Sequence, residues 1–150
     1  MIIQDEDKLR IWFAGRMGQI LPRDMRYIGC EVDGEIAFVS AFENFNGVSM
    51  YVHTASNGRG RLTKEFVWAS FHYPFVYCKA QILIAPISSG NTKALRFNKH
   101  LGFKIEHTIK GAHPDGDLVY TTMRREECRF LSRNWGPRAA YISTDSSSSP

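Results

Sequence analysis

The residue types best suited to chemistry lie in one short loop, Asn57–Gly60, which reads NGRG. Glycine lets a backbone approach a ligand closely, and Arg59 adds a positive charge beside it. Apolar residues at helical spacing follow Leu62, so a helix is expected to begin there, with its first amides unpaired and the positive end of its dipole exposed. This arrangement favours a phosphate as ligand. A polar turn between a strand and a helix is the alternative interpretation.

The histidines and cysteines do not show the spacing of a metal site. Cys30, Cys78 and Cys128 lie far apart and form no CxxC pair, and no histidine has ligand-like spacing with a cysteine or a carboxylate. Zinc sites and disulfide frameworks both need closer patterns. We therefore expect no metal, no disulfide framework and a location in a reducing cytoplasm.

Composition indicates one globular domain with a mild preference for anionic partners. The chain has 150 residues, of which 43% are hydrophobic, and a formal charge of +4. These values suit a single adequate core, and they allow nucleic acid, acidic proteins or phosphorylated cofactors as partners. The N-terminus is acidic directly after two isoleucines, and no window resembles a membrane span, so neither export nor membrane insertion is predicted.

The elements before the loop are predicted to be a helix and an antiparallel meander. Residues 5–17 read as an amphipathic helix capped by Asp5 or Asp7. Two β-type runs, Tyr27–Val32 and Ile36–Phe42, flank the Asp-Gly pair at 33–34, which is a strong hairpin signal. A second turn at 45–47 leads to a third strand over Val48–Thr54.

The elements after the loop predict a crossover and a closing hairpin. A helix from Leu62 is expected to end at Pro74, and Tyr77–Ile84 reads as a buried strand parallel to the strand before the loop. The remaining predictions are a helix over residues 92–100 that stops at Gly102, two strands over 104–109 and 118–123, and a turn over 111–117. The fold class is therefore α/β (α+β), with a mixed, mainly antiparallel central sheet and a parallel βαβ crossover.

The composition changes near Arg124, which gives a predicted domain over residues 1–125 and a tail over 126–150. The tail is basic and then serine-rich, ending DSSSSP, and part of it is expected to be disordered. A solvated terminus and an arm that docks on a partner such as nucleic acid are both open interpretations.

Two segments resemble the GNAT superfamily of acyl-coenzyme A-dependent N-acyltransferases. Val52–Leu62 is similar to the family's strand and pyrophosphate loop, and Asn91–Phe103 is similar to its Asn-x-x-Ala, helix and Gly-Phe signature. The order of elements also fits, so the resemblance covers about two thirds of the chain. Short proteins of this type are carried by tailed phages, and the brief loop resembles theirs.

Three positions depart from the family pattern. Asn57 replaces the usual Arg or Gln, and Leu62 replaces the second Gly or Ala when Gly60 takes the first glycine position. A shifted register on Gly58 and Gly60 restores the motif but misplaces Val52. Asn98 stands where many members have a tyrosine that protonates the departing thiolate, and an amide is no substitute for a phenol as an acid.

The resemblance implies acetyl-CoA as co-substrate, an amine of a protein or small molecule as acceptor, and transfer of the acetyl group between them. The implied cofactor-binding residues are Val52, Asn57, Gly58, Arg59, Gly60, Arg61, Leu62, Thr63, Asn91 and Phe97. Backbone amides of the loop would hold the pyrophosphate, and an amide near Val52 would polarise the thioester carbonyl. The alternative is a GNAT-fold binding or structural protein with weakened chemistry, for example in a phage virion.

A base is also implied, because the acceptor amine must be neutral to attack. Glu43 and His53 are the two candidates, and the sequence does not choose between them. Tyr73, Tyr77 and Tyr120 are alternative sources of the proton that Asn98 does not supply. The acceptor's identity and the oligomeric state are left open by the sequence.

Overall fold

The computed structural model describes residues 1–17, 25–132 and 134–136. Three α-helices are present in those ranges: α1 (Glu6–Met17), α2 (Lys64–His72) and α3 (Thr92–Leu101). The strands are β1 (Ile2–Ile3), β2 (Arg26–Val32), β3 (Glu35–Glu43), β4 (Ser49–Ser56), β5 (Ile82–Ser88), β6 (Lys104–His113) and β7 (Gly116–Arg124).

The strands form one seven-stranded sheet in the order β1-β2-β3-β4-β5-β7-β6. Strands β4 and β5 run parallel, and every other neighbouring pair of described strands is antiparallel. The parallel pair is joined through α2, which is the crossover that such a pair requires. The predicted mixed sheet with a parallel βαβ unit is therefore confirmed.

Helices cover the two faces of the sheet and bury separate apolar clusters. On one face, Leu9 and Phe13 of α1 are 0% and 1% exposed, and they pack with Tyr27 and Val39. On the other face, the apolar side of α2 packs against the strands through residues such as Phe66 and Phe71. Because side chains alternate along a strand, each side chain of β4 points either to the sheet face covered by α1 (the α1 face) or to the face covered by α2 (the α2 face).

The predicted strand over Tyr77–Ile84 is wrong for most of its length, whereas α2 ends at His72 with Tyr73 as its C-cap, close to the expected end at Pro74. Residues Tyr73–Tyr77 form a π-helical turn that continues α2. Pro74 lies in the first turn of that segment, and it lacks the N–H that would continue the α-helical ladder of α2. The strand begins only at Ile82 and continues through Pro86.

The closing hairpin is longer than the sequence indicates. Strand β6 extends to His113 and β7 starts at Gly116, so the predicted turn over 111–117 is mostly strand. The register shifts between Ile109 and His113, and Gly111 has a positive φ of 70° there, as expected at a bulge. Strand β1, which pairs Ile2 with Cys30, was also not predicted.

The chain beyond Arg124 contributes to the core before it leaves the described range. Residues Arg125–Glu127 and Arg129–Leu131 form 3-10 turns, and Phe130 is 2% exposed with its ring 5.0 Å from that of Phe71. Packing therefore extends past the proposed boundary at 125, whereas residues 137–150 of the predicted tail lie outside the described residues. No helix in the described ranges is long and apolar enough to cross a bilayer.

Candidate active site

A groove opens where the two parallel strands separate. The last paired residues are Tyr51 of β4 and Ile84 of β5, although each strand continues for several residues. The space between them has a volume of about 990 Å³, at the upper end of the usual range for small-molecule sites. Strand β4, the loop after it, α2 and α3 all contribute to its walls.

The loop end of the groove is held by the side chain of Asn57. Its Oδ1 accepts from the N–H of Arg59 at 2.9 Å and from the N–H of Gly60 at 3.4 Å. Its Nδ2 donates to the carbonyl of Ile36 at 3.1 Å, which ties the loop to β3. Asn57 therefore shapes the loop from within and does not line the groove.

The two loop glycines have different reasons to be glycine. Gly58 has a φ of 78° with open space where a Cβ would stand, so only backbone conformation restricts the position. Gly60 has an ordinary φ, but a Cβ there would lie 2.8 Å from the Cβ of Ala37. Both line the groove with Leu62, and Gly60 lets the loop lie directly on β3.

The helix that follows presents its N-terminus at the same end of the groove. Thr63 is the N-cap of α2, and its Oγ1 accepts from the N–H of Phe66 at 3.1 Å. Within the described residues, the N–H groups of Arg61 and Leu62 have no hydrogen-bond acceptor. Unpaired amides next to the positive end of a helix dipole can bind an anion.

The two loop arginines lie away from the groove. Arg59 is in ion-pair distance of Glu35, at 3.8 Å, and it lines a separate cavity of about 370 Å³ against α1. Arg61 is exposed and lines neither cavity. At the loop, the donors available to an anion in this conformation are therefore main-chain amides, whereas the cationic side chains that line the groove are Arg16 and Lys93.

The two candidate bases are brought together by the pairing of β3 with β4. His53 pairs with Ala41 and Glu43 with Tyr51, so both side chains lie on the α1 face. His53 Nε2 is 3.5 Å from Glu43 Oε1, and the two side chains are 23% and 20% exposed. His53 lines the groove. Glu43 does not line it and is connected to it only by its contact with His53.

Helix α3 forms the opposite wall and carries the residue at the expected tyrosine position. Asn91 caps the helix, its Oδ1 accepting from the N–H of Ala94 at 3.1 Å, and it lines the groove together with Phe97 and Asn98. Asn98 Nδ2 donates to Thr121 Oγ1 at 3.5 Å. Because Thr121 in turn donates to Ala85 O at 2.8 Å, the Asn98 carboxamide is fixed against β5.

None of the three candidate tyrosines lines the groove. Tyr73 stacks on Tyr77 with ring centroids 5.6 Å apart, and burial, aided by the hydrogen bond with Cys78, raises the pKa of Tyr73 well above its ordinary value. A tyrosine in that environment is a weaker acid than usual. Tyr120 lies on β7 opposite Pro86, which puts it on the far side of β5 from the groove.

Three hydroxyls inside the groove were missed by the sequence reasoning. Ser40 Oγ lies 3.3 Å from Thr54 Oγ1 and 3.0 Å from Ser70 Oγ, and all three residues line the groove. Ser40 and Ser70 are buried at 1% and 9% exposure. They come from β3, β4 and α2, so no local spacing could have revealed the network.

No cluster of three His, Cys, Asp or Glu side chains that could hold a metal ion occurs among the residues the structure describes. The predicted site residues that do line the groove are Val52, His53, Gly58, Gly60, Leu62, Asn91 and Phe97.

By sequence, no protein-family model matches the chain, and no curated protein matches it either. By structure, many solved chains are similar. YncA of Salmonella typhimurium, solved with its cofactor acetyl-CoA, aligns with a TM-score of 0.65 at 14% identity over 93% of this chain and 98% of its own.

Two further structures support the same fold. The N-acetyltransferase PseH of Campylobacter jejuni, solved with acetyl coenzyme A, has a TM-score of 0.58 at 16% identity, covering 83% of this chain and 99% of its own. A GNAT-family acetyltransferase from Bacillus anthracis has a TM-score of 0.58 at 18% identity, covering 78% and 73% respectively. The chain therefore has the GNAT fold.

Proposed function

We propose that this GNAT-fold protein transfers an acetyl group from acetyl-CoA to a primary amine of a protein or small molecule. The observation that carries the proposal is the groove between β4 and β5, which has unpaired amides at its loop end and His53 at its inner end. Similar chains solved with acetyl-CoA support acetyl-CoA as the co-substrate.

The loop end fits the pyrophosphate of coenzyme A. The free N–H groups of Arg61 and Leu62 and the first turn of α2 supply donors and a favourable dipole. Gly58, whose Cβ position faces open space, leaves room for the phosphate to approach the backbone, and Gly60 lets the loop lie against β3. Asn91 and Phe97 line the groove from α3 and would contact the arm that runs inward from the pyrophosphate.

His53 is the base we assign, with Glu43 as its partner. The amine nitrogen attacks the thioester carbonyl and loses a proton to His53, and the carbon–sulfur bond then breaks to release the thiolate of coenzyme A. Glu43 stabilises the positive charge that His53 gains, because it lies 3.5 Å away and is mostly shielded from water.

The departing thiolate takes its proton from water in this scheme. Asn98 lacks an acidic proton, and the three candidate tyrosines lie outside the groove. A coenzyme A thiolate is a stable enough anion to leave without a strong acid, since thiols ionise near pH ~8.5. Asn98 would bind the cofactor through the part of its carboxamide that Thr121 does not occupy.

A thiol-release assay with acetyl-CoA and a panel of primary amines, including polyamines, lysine peptides and aminosugars, tests the activity. We expect turnover with at least one amine class and a measurable acetyl-CoA dissociation constant by calorimetry. Absence of both binding and turnover would contradict the proposal.

The second candidate is a GNAT-fold protein that binds an acyl-CoA without turning it over. Two observations favour it: Asn57 already occupies the amides of Arg59 and Gly60, and Asn98 places an amide at the expected tyrosine position. It predicts acetyl-CoA binding without turnover for any amine. Turnover that disappears in His53→Ala would exclude it. A phage origin, a cytoplasmic location and a nucleic-acid partner stay predictions from the sequence.

A further inference from the structure

Strand β5 contains a proline that affects its two neighbours differently. Toward β7, all seven residues pair in an unbroken register from Ile82 with Arg124 to Ser88 with Leu118, including Pro86 with Tyr120. Toward β4, only three pairs form, and they end at Ile84. A proline in the interior of a sheet is tolerated only where its missing N–H faces no partner strand.

The direction of each main-chain group follows from one hydrogen bond. The N–H of Ile82 donates to the carbonyl of Val48 at 3.2 Å, so the main-chain N–H and C=O groups of residue 82 point towards β4. Main-chain groups two residues apart point to the same edge of a strand. The main-chain groups of residues 84 and 86 therefore also point towards β4. The next hydrogen bond of the parallel ladder would be donated by an N–H at residue 86 to the carbonyl of Val52.

Pro86 cannot make that bond because it has no N–H. The ladder stops one residue pair earlier, after Tyr51 and Ile84. By the same alternation, the carbonyl of Val52 and the N–H of Thr54 face the gap without a strand partner. Both residues line the groove, and so does Pro86.

We propose that Pro86 is a positioning residue that keeps the parallel ladder from closing, so that the Val52 carbonyl and the Thr54 N–H stay available to the amides of the pantetheine arm. The arm carries amide donors and acceptors, which can pair with a strand edge as an added strand does. The identity of the ligand rests on the proposed function, whereas the effect of Pro86 on the ladder does not.

The substitution Pro86→Ala restores an N–H at this position. In the variant without ligand, we expect the new amide at position 86 to be protected from hydrogen exchange at least about tenfold relative to an open strand edge, because it now donates to Val52. The acetyl-CoA dissociation constant should rise at least about tenfold, and so should KM for acetyl-CoA, with kcat at saturation unchanged.

The matched control is Pro114→Ala, which removes a proline from the exposed turn between β6 and β7. It carries the same change in chain entropy and should leave acetyl-CoA affinity at the wild-type value. Pro86→Val, with a side chain suited to strands, should reproduce both effects and provides a second folded variant.

Each outcome decides a separate part of the proposal. If the new amide in Pro86→Ala exchanges as fast as an unprotected amide, the effect on the ladder is overturned. A protected amide with unchanged acetyl-CoA affinity would overturn the positioning role. If wild-type protein binds no acetyl-CoA, the proposed function fails, and the exchange of the new amide still tests the ladder.

Discussion

The two ends of the groove are built from different kinds of groups. The loop end, Asn57–Thr63, offers main-chain amides, and its side chains either shape the backbone or point away. The inner end offers two side chains, His53 and Glu43, that meet across a pair of strands. The loop end should therefore be sensitive to changes in backbone geometry, and the inner end to changes in side-chain chemistry.

This difference separates binding from turnover. An anion held by amides is released when the backbone moves, because the N–H groups no longer point at it. A proton transfer stops when the base is removed, even if the ligand is held as before. Substitutions at the loop end should consequently alter the acetyl-CoA dissociation constant, and substitutions at the inner end should alter kcat.

The largest expected effect is at the inner end. His53→Ala should lower kcat on the order of 100-fold or more, because a positioned general base contributes a rate factor of about that size. The acetyl-CoA dissociation constant should not change. Steady-state thiol release and calorimetry measure the two quantities. His107→Ala, on the exposed strand β6, is the control. Equal losses of binding and turnover in His53→Ala would contradict the separation.

The next effect is at the loop end. In Gly60→Val the added side chain meets Ala37, whose Cβ lies 2.8 Å from the first added atom, so the loop must lift from β3. We expect a loss of about 1–3 kcal/mol in the free energy of unfolding and a rise of about tenfold or more in the acetyl-CoA dissociation constant.

Gly34→Asn, in the turn between β2 and β3, is the control for Gly60→Val. Gly34 has a positive φ of 82°, which asparagine tolerates, its Cβ position faces open space, and it does not line the groove, so binding should be that of the wild type. Wild-type affinity in Gly60→Val would show that the loop is not the anion site.

A smaller effect is expected for Glu43→Gln, which keeps the shape of the side chain and removes its charge. The protonated state of His53 then loses its partner at 3.5 Å, and kcat should fall about tenfold, the equivalent of about 1.4 kcal/mol in the barrier. Acetyl-CoA affinity should not change. Glu35→Gln removes a charge that is 68% exposed and pairs with Arg59, and it should leave kcat as it is.

The smallest expected effect is at Asn57, where two substitutions separate the effect of a negative charge from the loss of the side-chain hydrogen bonds that hold the loop. Asn57→Asp keeps an oxygen that accepts from Arg59 and Gly60, loses the donor to the Ile36 carbonyl, and places a negative charge beside the proposed phosphate. Acetyl-CoA affinity should fall about fivefold, equivalent to about 1 kcal/mol, and recover partly as salt is raised. Asn57→Ala loses the scaffold without adding charge, so its effect should not depend on salt. Identical salt responses would place the ligand elsewhere.

Local signals predicted the loop end well. The loop at Asn57–Gly60 and the helices expected from Leu62 and over residues 92–100 were predicted from neighbours in the chain. The structure has α2 begin at Lys64 and α3 at Thr92. The helix stop at Gly102, with a φ of 112°, was predicted for the same reason. Local conformational preferences act over a few residues, so the sequence displays them directly.

Non-local features escaped prediction because they depend on strand register. The contact between His53 and Glu43 and the hydroxyl network of Ser40, Thr54 and Ser70 join residues from separate elements. A proline within an apolar strand marks an unpaired edge, so the signal at position 86 was readable. The strand was instead predicted over residues 77–84. The apolar run before Ile82 includes the fully buried positions 75 and 80, and the spacing of its apolar residues alone does not distinguish a buried helix from a buried strand.

We propose that acetyl-CoA lies in the groove between β4 and β5. Titration of the isotope-labelled protein with acetyl-CoA, followed by amide NMR shifts, tests this placement directly. We predict the largest shifts over residues 52–63 and 91–98, with small shifts at Trp12, Gly34 and Glu35, which line the separate cavity. Largest shifts at those three residues, or no shifts at millimolar ligand, would contradict this placement.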